Sequence, residues 1–79
     1  MKRAVKAVFT DELGIDDEAY SEQLVYNSIP EWDSASHMVI VEALEEKFGI
    51  ELNSDEVVSM TTIPKIYAVL ESKGIPVES

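Results

Sequence analysis

The residues best able to do chemistry lie together at Trp32-Asp33-Ser34, three positions before the single histidine, His37. A serine, an imidazole and a surplus of carboxylates are the components of a nucleophilic triad, which needs the imidazole aimed at the serine and a carboxylate behind it. On a helix starting near Ser34, His37 is expected one turn along, exposed and without an orienting carboxylate, so the triad is rejected. The stretch Asp11 to Glu22 has the twelve-residue length of a calcium loop. Leu13 and Ile15 stand where oxygen ligands belong, and Asp16 where the sharp turn needs glycine, so it fails too. With one histidine and no cysteine, thiolate and multi-histidine metal sites are excluded. Ser34 is left without a nucleophile's helpers. Read alone, Asp33-Ser34 is simply a helix cap.

The elements that would position Ser34 follow from apolar spacing. Val5, Val8, Phe9 and Leu13 share one helical face that Gly14 stops. A long connection with no convincing period follows, carrying the apolar anchors Ile15, Tyr20, Leu24, Tyr26, Ile29 and Trp32. Pro30 keeps helix from running through it. Asp33 or Ser34 then caps a second helix with an Ile40, Val41, Leu44, Phe48 stripe, ended by Gly49. Asn53 and Glu56 resemble a capping box on a short helix of a turn or two. Thr62 caps the last helix, with Pro64 in its first turn, the stripe Ile63, Ile66, Tyr67, Leu70, and Gly74 as its stop. The expectation is a single all-α domain over residues 1–79: a small bundle of three main helices plus one short helix, with a long loop between helices one and two. Ile40, Val41, Leu44, Phe48, Ile66 and Tyr67 are its expected core.

Sixteen acidic against six basic residues give a net charge of −10. Nucleic acid and anionic membrane need a basic surface, so the charge argues against both as partners, whereas a basic protein surface would be attracted. No apolar run approaches the roughly 18 residues of a membrane span. The start, MKRAVKAVF, lacks the apolar segment of a leader and is read as mature protein. A chain of this size buries only roughly 60% of its unfolded surface, too thin for the concave pocket that catalysis usually wants. It is read as a non-enzyme.

With Trp32-Asp33-Ser34 opening a helix that continues as VEALEEKFGIEL, the sequence resembles the acyl carrier proteins, the phosphopantetheine-binding carrier domains. LGIDDEAY (13–20) is similar to the family's end of helix one, IPEWDS (29–34) to the loop before its attachment serine, ALEEKFGIEL (43–52) to its second helix and following turn, and TTIPKIYAVLESKG (61–74) to its final helix. The resemblance covers essentially the whole chain, and its strength lies in the order and spacing of the pieces. It implies that Ser34, beside Asp33, receives 4′-phosphopantetheine from coenzyme A through a phosphopantetheinyl transferase. An acyl or aminoacyl group would ride on the arm as a thioester, which explains the bare chemistry around Ser34: the reactive group is imported. A helix N-terminus also suits a phosphodiester.

The resemblance further implies docking of acyl-loading and acyl-processing enzymes, through basic patches, on Ala35, Met38, Val39, Glu42, Glu45 and Glu46. It implies a cytoplasmic, monomeric protein whose core can part around an acyl chain. Ala35 stands where the family usually has leucine, and Ser36 and Val39 where fatty-acid carriers often have acids. Val25, Tyr26 and Ser28 are unusual in the loop. A specialised pathway, polyketide or other secondary metabolism, is thus at least as well indicated as fatty-acid synthesis. The alternative is an unmodified, degenerate carrier fold acting as an acidic protein-interaction module.

Overall fold

In a computed structural model, described over residues 1–76, the chain forms four helices: α1 (Lys2–Leu13), α2 (Ser34–Phe48), α3 (Ser54–Ser59) and α4 (Ile63–Ser72). This is the all-α arrangement of three main helices and one short one. Most boundaries have a local cause. Gly14 and Gly49 take left-handed backbone, φ 68° and 64°, and turn their N–H groups back to Thr10 and Glu45. Asn53 and Glu56 form a complete capping box on α3. The Thr62 hydroxyl accepts from the Lys65 amide at 3.2 Å and starts α4.

The core is built from Val5, Val8 and Phe9 of α1, Ile40 and Leu44 of α2, Met60, and Ile63, Ile66, Tyr67 and Leu70 of α4. Val41 is also buried, and Phe48 is partly buried against the cluster. Trp32, which precedes α2, is fully enclosed, with its ring edge-on to Phe9 at 4.9 Å.

The long loop is held by backbone as well as anchors. Tyr26 donates its amide to the Thr61 carbonyl at 2.7 Å, and Val25 forms an isolated antiparallel bridge with Thr62. Asn27 then takes left-handed backbone, φ 67°, a region that asparagine tolerates better than most side chains. Its amide reaches the Trp32 carbonyl at 2.9 Å. The segment before Ser34 is therefore tied to the α3–α4 junction on one side and sunk into the core by Trp32 on the other. Among the described residues, no helix is long and apolar enough to cross a membrane.

Candidate functional site at the start of α2

Asp33 is the N-cap of α2. Its extended backbone, φ −114° and ψ −172°, lets the carboxylate accept the Ser36 amide at 2.9 Å. Hydrogen bonding from the Ser36 backbone N–H is the main cause holding its carboxyl below the usual aspartate range, with the Ser36 side chain adding to it. Of the two caps the sequence allowed, the structure uses Asp33. Ser34 is consequently the first helical residue, exposed, and no described residue engages its hydroxyl in a hydrogen bond. The first turn of α2 carries no acidic side chain. The hydroxyl thus projects from the positive end of a helix whose start is already closed by its neighbour.

His37 departs from expectation. It is buried, 8% exposed, because Trp32 packs beside it. The Trp32 indole N–H donates to Nδ1 of His37 at 3.0 Å. An indole can only donate, so Nδ1 must be the acceptor and the proton sits on Nε2. Nε2–H then donates to the Val57 carbonyl of α3 at 2.9 Å. With both ring nitrogens engaged, His37 has no lone pair for Ser34, and the triad fails for a firmer reason than exposure. One signal could have found this pairing. Trp32 and His37 hold the positions just before the cap and four residues into the helix, where a hydrophobic staple closes.

Of the expected docking residues, Ala35, Met38, Val39, Glu42 and Glu46 are exposed on α2. Met38 and Val39 are unusually so for apolar side chains, at 49% and 45%. Glu45 differs: it is half-buried, and its carboxylate accepts the Leu52 amide at 2.8 Å. Between α2 and α3 lies a cleft of about 510 Å³ lined by Met38, Val41, Leu52, Val57 and Val58, with Glu42 and Glu45 also on its wall. A smaller one of about 270 Å³ is lined by Tyr26, His37, Val57, Val58 and Thr61. Among the described residues, no cluster of three or more His, Cys, Asp or Glu side chains could hold a metal ion.

No protein-family model matches the chain. It is similar to an acyl carrier protein of Thermosynechococcus vestitus, 28% identical over 69 residues that span 87% of this chain and 85% of that protein.

Proposed function

We propose that this protein is a carrier whose Ser34 bears a 4′-phosphopantetheine arm. The observation that carries the reading is the separation of capping from exposure: Asp33 closes the helix, leaving the adjacent Ser34 hydroxyl exposed and uncommitted. Similarity to an acyl carrier protein over most of both chains supports it. The residues present suit the group in charge: the positive end of α2 favours a phosphodiester, with the Ser36 amide held by Asp33 and no acidic side chain among the first helical residues.

When bound, the arm would supply a thiol able to hold an acyl or aminoacyl group as a thioester. The chain's own share is presentation. Ser34 offers the oxygen that replaces the nucleotide on the phosphorus, its proton leaving to a base of the transferase. Ala35, Met38 and Val39 offer apolar contact beside it, and Glu42 and Glu46 offer charge to basic enzyme surfaces that load and process the acyl group. A protein of this kind is a substrate of other enzymes, in fatty-acid or specialised acyl metabolism.

Co-expression with a broad-specificity phosphopantetheinyl transferase, followed by intact mass and peptide mapping, tests the reading. The expected result is one arm on Ser34, lost in a folded Ser34→Ala variant. An arm mapped to another residue would overturn the site. A folded chain that stays unmodified with several such transferases would favour the unmodified acidic interaction module.

A further inference from the structure

We infer that the Trp32–His37–Val57 relay is a proton-released latch, fastening α3 and the segment before Ser34 to the first turns of α2. The inference stands on the geometry of the relay and does not depend on Ser34 being modified.

The α3 helix is six residues long and fully buries none of them. A helix that short has little stability of its own, so its seating depends on specific ties. Its ties are its capping box, the Lys73–Glu56 ion pair at 2.9 Å, and the His37 bond to the Val57 carbonyl. The His37 tie alone reaches α2, and the same ring holds the Trp32 indole on its other nitrogen.

The relay exists only while His37 is uncharged. A proton added at Nδ1 removes the lone pair that accepts from Trp32, and the indole has no lone pair to offer in return. Two N–H groups would then face each other in a buried site, which is expensive to maintain. The positive end of α2 also opposes a cation there. No carboxylate packs on the ring to compensate. Among the described residues around it, Tyr26 from the loop is the titratable one, its ring edge-on at 5.3 Å. Trp32 before α2, Val57 and Val58 of α3 and Thr61 before α4 carry no charge. Of the other acids on the packed elements, Asp33 is turned to the Ser36 amide and Glu56 to the Asn53 amide and Lys73, while Glu31 and Asp55 are exposed. Glu42 and Glu45 lie on the wall of the neighbouring cleft. Charging His37 therefore ejects the imidazole, frees the indole and unseats α3. The clefts on both sides of Val57 and Val58 open together.

The test is a pH titration of the ¹⁵N-labelled full chain by NMR, from neutral toward acid, in wild type and in His37→Gln and His37→Phe. Glutamine can accept and donate like the neutral ring but does not titrate in this range; phenylalanine fills space without either bond. The expected result is one shared curve for the His37 ring protons, the Trp32 indole N–H and the α3 amides, while α1 and α4 amides stay in place. Hydrogen exchange at the indole should rise at least tenfold along that curve. His37→Gln should abolish it, and His37→Phe should show the released exchange rate already at neutral pH. A His37 ring that titrates while Trp32 and α3 stay silent overturns the latch. So does loss of α1, α4 and α3 in one global transition, or persistence of the curve in His37→Gln. If either variant fails to fold, the wild-type curves alone decide.

Discussion

The Glu45 carboxylate leaves the face of α2 and accepts the amide of Leu52, seven residues on, at 2.8 Å. This bond closes the turn between α2 and α3 over Gly49 and Ile50, whose amides both return to the Glu45 carbonyl. One residue thus holds the turn by side chain and backbone, while its neighbours Glu42 and Glu46 stay exposed.

The acids of α2 should therefore separate in mutagenesis. Glu45→Ala is expected to lower stability by about 1 kcal/mol, the net worth of a typical hydrogen bond. Glu42→Lys and Glu46→Lys should leave the urea midpoint nearly unchanged and, under the proposed carrier function, slow transfer to basic partner enzymes, most strongly at low ionic strength. Equal loss of stability in all three variants would contradict this division.

At Asp33 the effect is one of pH. Its folded carboxyl titrates below the ordinary range, so the cap's contribution is fully present above about pH 4, where the unfolded residue is ionised, and is lost as pH falls through the folded value. Asp33→Asn should keep α2 capped while flattening that acid limb. Circular dichroism at 222 nm through acid denaturation measures both curves. Superimposable acid limbs would remove the cap from the account.

Trp32 combines volume with a donor, and two substitutions separate them. Trp32→Ala should cost about 3–5 kcal/mol, as for a large buried aromatic. Trp32→Phe keeps contact with Phe9 but leaves His37 Nδ1 without its donor, an expected loss of about 1–3 kcal/mol. Urea unfolding of the two variants checks the order.

The Tyr67 hydroxyl donates to the Glu22 carboxylate at 2.9 Å and lies 3.4 Å from the Tyr20 hydroxyl, joining α4 to the long loop. Burial, first, and then these two hydrogen-bond partners push the Tyr67 phenol far above its ordinary range; burial also raises Tyr20. The protonated forms are favoured in the fold, so their contribution is complete below about pH 10 and is lost as pH rises toward the folded values. Tyr67→Phe should lower stability near neutral pH and weaken its decline in alkali, measured by thermal unfolding between neutral pH and about pH 11. An unchanged alkaline slope would show that the phenol is not held as described.

Helix ends were readable from the sequence because each is decided within four residues: Gly14 and Gly49, the Asn53–Glu56 box, Thr62 before Pro64. The place of Ser34 at the head of α2 was readable for the same reason. The loop was not, because its order comes from Tyr26 pairing with Thr61 and from Asn27 taking a left-handed turn, partners that periodicity does not relate. His37 is buried where its place in the pattern suggests exposure, since a residue in the early turns of a helix can be covered by whatever precedes the cap, here Trp32. Glu45 looked like one more surface acid because its partner lies beyond the helix end.

The assignment of the cap to Asp33 rather than Ser34 also bears on endurance. A helix that began on its serine's own hydroxyl would have to be rewoven each time that oxygen was derivatised or freed. Here the first turn is secured one residue earlier, by a carboxylate that no esterification of Ser34 touches. Were Ser34 to bear the proposed arm, acyl traffic would pass over the arm's thiol while the capped turn beneath kept its bonds.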